Sequence, residues 1–388
     1  MMKNKRVLLA VCGSVSFYKA YEILSMLKKE GANVRVMLSD GALKFTNILS
    51  FEALCDEKVL SSVSEDWQKG VNHINYSKND LIIIAPASAN TINKIAYGIA
   101  DSVFLQTILA STCPKLIAPS ANNNMLENFA TKKSLEILSQ NGYEICEPVS
   151  KTLACKDFGK GALNEPKTIV AMARRILNKD EFYANKKVII TGGATTEKID
   201  DVRGITNFSS GKMAKALADA FYYAGSEVIF ISSTQFEVPY KIVKFQSSNE
   251  LLETINSQKV KGNDLLVMCA AVSDYIPKNK FNGKMKKDEN GLNLELILNK
   301  DILKNINLNC KKIGFKMEMD KKTAVQNALN LLKDKNLDAV CLNVLGGDIH
   351  FGSDETSICF ITKTDSKSTE LKSKFEVAKD IVEFSKSI

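Results

Sequence analysis

The feature that most constrains this 388-residue chain is a local pattern that opens each of its halves. An apolar strand at residues 5–12 runs into Gly13, and a helix with apolar residues at helical spacing then precedes another strand. Residues 187–191 run into Gly192 in the same way, again followed by a helix and a strand. This order is the start of a doubly wound α/β sheet, so the sequence predicts two tandem Rossmann-like domains. Neither loop is a full GxGxxG fingerprint.

Further buried-type strands are predicted at residues 81–85 and 115–118 in the first half, and at 264–271 and 339–344 in the second. A single long helix is expected roughly from Asn90 to Leu109.

The predicted boundary between the domains lies in a polar stretch near residues 175–186. This stretch is not a Pro/Gly/Ser linker, and each half is long enough to bury its own core. We therefore assign residues 1–180 to an N-terminal domain and residues 181–388 to a C-terminal domain.

Composition excludes several classes of protein. The nine scattered cysteines form no CxxC pair, which argues against a zinc site or a disulfide framework. The net charge of +8 suits anionic ligands, but no aromatic-basic cluster indicates nucleic acid. No segment reaches the roughly 18 uninterrupted apolar residues of a membrane span. Basic residues at 3–6 precede a short apolar run as in a signal peptide, but a glycine loop and a helix follow, so we expect a cytoplasmic protein.

Three loops rich in glycine, hydroxyl and amide groups follow strands of the first half, at residues 13–16, 87–90 and 120–124. Ligands of open α/β sheets lie at the carboxyl ends of the strands, where these loops converge. One such loop would indicate simple helix capping by Ser or Asn. Three successive loops favour a phosphate-bearing ligand.

Two further residues of the first half are candidates for chemistry. His73 is the only side chain there whose ordinary pKa suits proton transfer near neutrality, although a lone histidine is more often structural. Cys155 lies in a glycine-flanked loop beside Lys156, which could lower the pKa of its thiol; the alternative is an inert loop thiol.

Five motifs in order make the first half resemble the flavin-dependent phosphopantothenoylcysteine decarboxylases. They are Gly13-Ser14-x-Ser16-x-Tyr18-Lys19, His73-Ile74, Pro86-Ala87-Ser88-Ala89-Asn90, Pro119-x-x-Asn122-x-x-Met125 and Ala154-Cys155-x-Asp157-x-Gly159-x-Gly161. The resemblance implies an FMN cofactor and oxidation of the cysteine moiety of 4′-phospho-N-pantothenoylcysteine to a thioaldehyde, which allows loss of carbon dioxide. Reduction then gives 4′-phosphopantetheine.

The resemblance also implies residue roles. His73 is the base or proton handler, Asn122 holds the substrate carboxylate, and Cys155 supplies the proton for the final reduction. The chain departs from the family at Ser120-Ala121, where Ala-Met is usual, and at Leu126. The implied flavin contacts are Gly13, Ser14, Ser16, Ser39, Ala87, Ser88 and Asn90.

In the second half, Ser209-Ser210-Gly211-Lys212 leads into a helix and suggests a phosphate cradle, although the bare motif also fits an ordinary capped helix. It is not a P-loop, because GxxxxGK[ST] is absent. A basic loop with lysines between residues 278 and 287 is either a solvated surface or a flap that neutralises a triphosphate.

Ordered motifs make this half resemble the phosphopantothenate–cysteine ligases, so the chain as a whole resembles the bifunctional enzymes of coenzyme A synthesis. The specific ones are Asn207-x-Ser209-Ser210-Gly211-Lys212-Met213 and Ala270-Ala271-Val272-x-Asp274-Tyr275. Weaker ones are the Gly192-Gly193 loop, Asp200-x-x-Arg203, Lys284-x-Lys286-Lys287, Asn299-x-Asp301-Ile302, Gly314-Phe315 and Lys335-x-x-Asp338.

The resemblance implies that CTP activates 4′-phosphopantothenate as an acyl-cytidylate, which the amine of L-cysteine attacks. Mg²⁺ would bridge the phosphates, Lys284 would stabilise the departing pyrophosphate, and Asn207 would position the acyl group. The family often has a lysine where this chain has Leu331, so either Lys333 substitutes for it or the nucleotide contact is weaker. The implied CTP contacts are Asp274, Lys284, Lys300, Asp301, Ile302, Leu303, Phe315 and Lys335.

The sequence disfavours three other classes of protein. A flavoprotein acting on peptidyl cysteine or prenyl groups is disfavoured by Cys155 and by the fused second half. A plain NAD(P) oxidoreductase would need a fuller glycine fingerprint. A non-catalytic relative should lack His73 or Cys155. The family further suggests a homo-oligomer with trimeric flavin domains and paired ligase domains, without membrane or nucleic-acid partners.

Overall fold

The computed structural model describes residues 2–55, 57–152, 158–286, 291–344, 346 and 352–388. The chain divides into two compact units, Met1–Asn178 and Lys179–Ile388. Over these described ranges, no helix is both long enough and apolar enough to cross a bilayer.

The first unit alternates strands and helices, with short 3₁₀ turns at Val15–Tyr18, Ala42–Lys44 and Trp67–Lys69. Its strands are β1 (Arg6–Val11), β2 (Asn33–Leu38), β3 (Leu81–Ala87), β4 (Lys115–Pro119), β5 (Tyr143–Ile145), β6 (Val149–Thr152) and β7 (Phe158–Ala162). Its helices are α1 (Lys19–Lys29), α2 (Ile48–Glu52), α3 (Asn72–Tyr76), α4 (Ala89–Ala96), α5 (Val103–Ala110), α6 (Asn123–Glu127), α7 (Phe129–Gln140) and α8 (Pro166–Asn178).

Five of these strands form one parallel sheet in the order β2-β1-β3-β4-β5. The order reverses between β1 and β3, because β1 pairs with β2 on one side and with β3 on the other. In doubly wound sheets the ligand crevice lies outside the carboxyl ends of the strands at this reversal. The topology therefore places a crevice beside the loops that follow β1 and β3.

The apolar periodicity of the sequence explains how α1 packs on this sheet. Ala20, Ile23, Leu24 and Leu27 recur at helical spacing, and all four are buried in the cluster that includes alternate residues of β1 and β2. Burial of each leucine or isoleucine side chain stabilises the fold by roughly 1.5–3 kcal/mol. The predicted order of strand, glycine loop, helix and strand is confirmed here.

The predicted single helix from Asn90 to Leu109 is wrong, because the segment forms two helices, α4 and α5. Gly98 adopts a φ of +67° just after α4, and side chains rarely tolerate that conformation. Ser102 then caps α5, since its hydroxyl accepts a hydrogen bond from the backbone N–H of Leu105 at 3.3 Å. Apolar periodicity continues through the break, which is why the pattern alone did not reveal it.

The second unit has one large sheet, several short strand pairs and a final 3₁₀ turn, Ser385–Ser387. Its strands are β8 (Lys187–Gly192), β9 (Thr196–Lys198), β10 (Gly204–Thr206), β11 (Glu227–Ser232), β12 (Lys241–Lys244), β13 (Leu265–Met268), β14 (Tyr275–Pro277), β15 (Leu296–Leu298), β16 (Lys311–Glu318), β17 (Ala339–Val344), β18 (Glu355–Thr356), β19 (Cys359–Thr362), β20 (Ser366–Ser368) and β21 (Lys372–Ser373). Its helices are α9 (Lys212–Tyr223), α10 (Ser248–Asn256), α11 (Ile302–Asn305), α12 (Ala324–Asp334) and α13 (Lys374–Phe384).

The large sheet has the order β12-β11-β8-β13-β16-β17-β19-β20. It is parallel from β12 to β17, and β19 and β20 add an antiparallel edge. The short pairs β9–β10, β14–β15 and β18–β21 are separate from it. Both units are thus the α/β folds with parallel sheets that the sequence predicted.

Helix α9 lies very close to β8. Leu217, Ala220 and Phe221 are buried on its inner face, as the apolar spacing predicted. A Cβ added at Gly192 would lie 2.5 Å from the Cβ of Ala214, so only glycine permits this approach. The glycine at the end of β8 thereby sets where the N-terminus of α9 lies relative to the sheet.

Candidate active sites

The first unit has a cleft of about 570 Å³ at the carboxyl end of its sheet, a size typical of small-ligand sites. The loop after β1, the loop after β4 and the β6–β7 pair all contribute to its walls. Its lining residues are Gly13, Ser14, Val15, Ser16, Tyr18, Lys19, Phe45, Ser120, Ala121, Asn122, Met125, Lys151, Thr152, Gly161, Ala162 and Leu163.

Three serine hydroxyls meet in this cleft. The Oγ of Ser120 lies 3.1 Å from that of Ser14 and 3.0 Å from that of Ser16. Ser120 is buried, and its backbone N–H donates to the carbonyl of Ala87 at 2.9 Å, which fixes it to the end of β3. Each hydroxyl can donate one proton and accept others, so the cluster can rearrange around anionic oxygens.

Gly13 lies against the backbone of a neighbouring turn. A Cβ added there would be 2.6 Å from the carbonyl carbon and oxygen of Gly41. Ser39 holds this turn, because its carbonyl and its hydroxyl both accept from the N–H of Ala42, at 2.9 and 3.2 Å. Ser39, a predicted flavin contact, does not line the cleft and instead stabilises the turn that packs against Gly13.

The remaining flavin contacts predicted from sequence surround the cleft without lining it. Ala87 is buried at the end of β3, and Ser88 caps α4 by accepting from the N–H of Thr91 at 3.3 Å. Asn90 is exposed in the first turn of α4. Ser88 therefore forms the helix cap that was the alternative to a ligand contact at this loop.

The predicted catalytic residues of this unit are not all together. Asn122 lines the cleft and caps α6 by accepting from the N–H of Asn124 at 2.9 Å. His73 lies on α3, outside the cleft lining, with its ring edge-on to Trp67 at a centroid distance of 6.0 Å. Its buried Nδ1 has no hydrogen-bond partner among the described residues. Cys155 lies outside the described residues.

Sequence reasoning missed the basic wall of this cleft. Lys19 donates to Glu165 at 3.4 Å and to the carbonyl of Leu163 at 3.2 Å, and Lys151 pairs with the same carboxylate. The ammonium of Lys151 holds the pKa of Glu165 below its ordinary value, so this group stays charged. The pairing joins α1 to the β6–β7 pair, which no local motif could reveal.

The second unit has a cleft of about 450 Å³ at the carboxyl ends of β13, β16 and β17. Asn207 stands at its rim and donates from Nδ2 to the carbonyl of Val272 at 3.1 Å. Gly211, with a φ of +68°, turns the chain into α9. The lining residues are Asn207, Phe208, Ser209, Ser210, Gly211, Lys212, Met213, Ala214, Cys269, Ala270, Ala271, Phe315, Lys316, Met317, Asn343, Gly352, Ser353, Thr356, Ile358 and Lys374.

The predicted lysine flap is held at its base by two aspartates. The carboxylate of Asp201 accepts from the N–H of Gly283 at 2.7 Å, and the N–H of Asp201 donates to the carbonyl of Gly283 at 3.3 Å. The buried carboxylate of Asp200 accepts from Nε of Arg203 at 2.9 Å and from the N–H of Met285 at 3.1 Å. Lys284, between these anchored positions, has an exposed side chain outside the cleft lining.

Only one of the predicted CTP contacts, Phe315, lines this cleft. Several others form a neighbouring group, in which Lys335 pairs with Asp301 and the carbonyl of Asp274 accepts from the N–H of Asn299 at 2.8 Å. Lys300 is exposed, whereas Ile302 is buried and Leu303 packs against the same apolar cluster. The structure thus divides the predicted nucleotide set between the cleft and this adjoining surface.

Several cleft residues were not predicted at all. Asn343 lies near the end of β17, Thr356 lies in β18, and Lys374 is the first residue of α13. Cys269 also lines the cleft, and burial raises the pKa of its thiol to about 12, so it is not a ready nucleophile. The described residues contain no group of three or more His, Cys, Asp and Glu side chains that could hold a metal ion.

Comparisons with known proteins agree with this two-unit architecture. A family described as "Flavoprotein" matches residues 1–178, and one described as "DNA/pantothenate metabolism flavoprotein C-terminal domain" matches residues 183–387. These matches define the class: a flavoprotein half followed by a pantothenate-metabolism half.

The chain belongs to the family of coenzyme A biosynthesis bifunctional proteins CoaBC. It is 37% identical over 403 residues to the Bacillus subtilis member, covering 100% of this chain and 98% of that one. It is 34% identical over 392 residues to the Borreliella burgdorferi member, covering 98% and 99% respectively. It is also similar to the crystal structure of a CoaBC C-terminal domain, at 28% identity and a TM-score of 0.44, covering 54% of this chain and 97% of that chain. The chain is thus a bifunctional enzyme with a flavoprotein decarboxylase half and a ligase half.

Proposed function

We propose that the second unit joins 4′-phosphopantothenate to L-cysteine with CTP as co-substrate, and that the first unit decarboxylates the product to 4′-phosphopantetheine with FMN. The observation that carries this proposal is the presence of two clefts in one chain, each at the carboxyl ends of parallel strands and each lined by a loop with glycine and serine. We assign the two activities to residues 1–180 and 181–388. The step catalysed second is therefore encoded first.

The first cleft fits FMN. The sheet order 2-1-3-4-5 is that of flavodoxin-like folds, which bind FMN at the reversal between the first and third strands. Gly13 lines the cleft and allows the turn at Gly41 to pack against it, and Ser14, Ser16 and Ser120 offer hydroxyls to a phosphate. Bound FMN supplies the oxidation of the cysteine moiety and the later reduction.

The side chains of the first unit then bind and deliver protons. Asn122, which lines the cleft, holds the substrate carboxylate through its amide. His73 is assigned the proton transfer that the resemblance implies, and its Nδ1 has no hydrogen-bond partner among the described residues. We assign the final proton donation to Cys155 on the resemblance alone.

In the second unit, activation of the carboxylate creates a leaving group, since a free carboxylate is a poor acyl donor. Asn207 lies at the cleft rim and positions the acyl group for this step. Lys284 neutralises charge as pyrophosphate departs, and hydrogen bonds from Gly283 and Met285 to the two aspartates hold the backbone on either side of it. CTP is held by Phe315 and by the adjoining group that includes Asp274, Asp301 and Lys335.

Mg²⁺ would bind together with the phosphates of the nucleotide and would neutralise part of their charge. Such an ion keeps several waters and takes one or two carboxylates from the protein, so it would need no preformed cage. We further propose that the enzyme is cytoplasmic, with trimeric flavin units and paired ligase units.

The test is incubation of the purified chain with 4′-phosphopantothenate, L-cysteine, Mg²⁺ and each nucleoside triphosphate in turn, followed by product masses. We expect pyrophosphate and 4′-phosphopantetheine with CTP, and a yellow protein that releases FMN on denaturation. A colourless protein that FMN cannot reconstitute would contradict the first-unit assignment. Equal product with every nucleotide would contradict the CTP assignment.

A further inference from the structure

The motif Asp200-x-x-Arg203 belongs to the second unit, and no role has been assigned to it. It lies in residues 199–203, the turn between β9 and β10, which pair as antiparallel strands. The carbonyl of Arg203 closes this turn by accepting from the N–H groups of Ile199 and Asp200, at 2.9 and 3.2 Å. We refer to residues 199–203 as the β9–β10 turn. Hydrogen bonds connect it to residues 281–285, the part of the basic loop that carries Lys284.

The carboxylate of Asp200 is buried, and its two oxygens bond to different parts of the chain. The residue is 2% exposed. Its Oδ1 accepts from the backbone N–H groups of Val202 and Arg203, at 2.8 and 2.7 Å, within the turn. Its Oδ2 accepts from Nε of Arg203 at 2.9 Å and from the N–H of Met285 at 3.1 Å. One oxygen therefore stabilises the turn, and the other joins the turn to the basic loop.

The guanidinium of Arg203 makes a second link between the same two segments. Its Nε and Nη2 both donate to Oδ2 of Asp200, and Nη2 also donates to the carbonyl of Met285 at 2.9 Å. This pairing holds the pKa of the Asp200 carboxyl well below its ordinary value, so the carboxylate stays ionised. The N–H and the carbonyl of Met285 are thus both bonded to one ion pair, and hydrogen bonds to ionised groups are stronger than neutral ones.

The chain on the other side of Lys284 is bonded to the same turn. Gly283 exchanges hydrogen bonds with Asp201, through its N–H at 2.7 Å and through its carbonyl at 3.3 Å. The N–H of Phe281 donates to the carbonyl of Ile199 at 3.0 Å. The side chain of Lys284 is exposed and has no partner over the ranges that the structure describes. The turn thus holds the backbone around Lys284 and leaves its ammonium group available.

We propose that Asp200 is a positioning residue for the ligase step, and that it holds Lys284 in place through Arg203 and Met285. This inference rests on the proposed function of the second unit, in which Lys284 neutralises charge on the departing pyrophosphate. Asp200 is the stronger of the two anchors, because water competes for the exposed carboxylate of Asp201 and is excluded from the buried one. A charged group stabilises a transition state only where it is held in place, and a displacement of about 1 Å can cost roughly 100-fold in rate.

Asp200→Asn and Asp200→Ala, each in the full chain, test this role. Asparagine has one acceptor oxygen, and its NH₂ group faces donors in either orientation, so one set of donors loses its acceptor. Alanine removes both acceptors, so no rotation of the side chain can restore the bond to Met285. The matched control is Asp264→Asn, at the amino end of β13. Asp264 is also buried, and it accepts from the backbone N–H groups of Lys187 and Lys261 at 2.9 and 2.6 Å.

Three measurements on the FMN-loaded chain separate positioning from general stability. Initial rates of pyrophosphate release give kcat and the KM values for CTP and 4′-phosphopantothenate. Digestion with trypsin without nucleotide, followed by mass spectrometry, gives the rate of cleavage after Lys284 and Lys286. Decarboxylation of supplied 4′-phospho-N-pantothenoylcysteine monitors the first unit.

We expect Asp200→Asn to lower kcat for pyrophosphate release by about 10- to 100-fold, with a larger loss in Asp200→Ala. Both KM values should stay within about threefold of the wild type, since Lys284 stabilises charge that develops in the transition state. Trypsin cleavage after Lys284 and Lys286 should be about 10- to 100-fold faster, because losing a hydrogen bond to a charged group favours the open loop by that factor. Decarboxylation, and every rate of the control variant, should stay within about twofold.

A double variant decides whether Asp200 acts through Lys284. Lys284→Gln alone and Lys284→Gln combined with Asp200→Asn should have the same kcat within about threefold, since no ammonium group remains to be positioned. Multiplied losses in the double variant would show that Asp200 acts independently of Lys284, and they would overturn the proposal.

Three other results would also overturn it. Unchanged trypsin cleavage in both Asp200 variants would show that the carboxylate does not hold the loop. Faster cleavage with an unchanged kcat would show that the anchor has no role in the reaction, and an equal loss of kcat in Asp264→Asn would show a general loss of stability. A wild type that releases no pyrophosphate with any nucleotide would instead refute the proposed function, whereas the trypsin comparison would still decide whether Asp200 holds the loop.

Discussion

The contact between Gly13 and Gly41 yields two substitutions with opposite expected outcomes. A Cβ at Gly13 would lie 2.6 Å from the carbonyl carbon of Gly41, so the two backbones must separate by about 0.8 Å to reach ordinary contact. The turn cannot retreat easily, because Ala42 is bonded twice to Ser39. Overpacking a rigid contact costs about 1–3 kcal/mol, and backbone on both sides places Gly13→Ala near the upper limit.

Gly41→Ala is the matched control, since it adds the same methyl group to the other side of this contact. Its Cβ would meet Gly13 at 3.4 Å and the hydroxyl of Ser39 at 3.6 Å, and its φ of −64° suits any residue. We expect a change within about 0.5 kcal/mol for this variant. The two variants differ because a Cβ on Gly13 would point at the backbone of Gly41, whereas a Cβ on Gly41 would keep an ordinary distance from Gly13.

The assay is thermal unfolding of the flavin-loaded chain, followed by the visible absorbance of the flavin, together with the Kd for FMN. A loss of about 3 kcal/mol in a unit of this size lowers the midpoint of the flavin-linked transition by roughly 6–12 °C. If part of the strain exists only while FMN is bound, that part raises the Kd for FMN and does not lower the unfolding midpoint. Similar midpoints and similar Kd values for Gly13→Ala and Gly41→Ala would refute the steric argument.

Three further predictions concern the two activities and the second unit. Lys284→Gln should lower the rate of pyrophosphate release by about 10²- to 10³-fold without affecting decarboxylation of supplied substrate. The control Lys280→Gln should change neither rate. Comparable losses in both variants would show that Lys284 contributes only to the overall positive charge of the loop. Cys155→Ser should release carbon dioxide but accumulate the unreduced enethiol product by mass, and full turnover would remove the proton-donor assignment. Gly192→Ala should destabilise the second unit by about 1–3 kcal/mol, and adding Ala214→Gly should partly restore its stability. If the two changes in unfolding free energy were simply additive in the double mutant, the contact would be contradicted.

β1, β3, β4, β8, β13 and β17 were predictable because each is an apolar run bounded by polar or glycine residues. β12 (Lys241–Lys244) and β20 (Ser366–Ser368) were not predicted, because they lack such a run. β17 was predicted at residues 339–344 and is found at Ala339–Val344. The division between α4 and α5 was not predictable from periodicity, since apolar residues continue on both sides of Gly98. The break depends on one positive φ and one serine cap, which are details of individual residues.

The site was predictable wherever a motif follows a strand, as at Gly13 and at Ser209-Ser210-Gly211-Lys212. Thr356 and Lys374 could not be found in this way, because they lie far along the chain in segments without a recognisable pattern. The fold brings them to the cleft through the antiparallel edge of the sheet and the β18–β21 pair. Helices α1, α9 and α13 all begin with a lysine, so this position in the sequence could not show that Lys374 lines the cleft.

The structure also decides between the two interpretations of Leu331. Leu331 and Lys335 are four residues apart and share one face of α12 and its C-terminal cap, whereas Lys333 points away from both. Leu331 packs against the apolar cluster beneath α12, and its Cδ2 lies 3.8 Å from where a Cβ of Gly314 would be. Lys333 therefore does not replace a cation at position 331. Because Lys335 already pairs with Asp301, we expect the other alternative, a weaker nucleotide contact at this position.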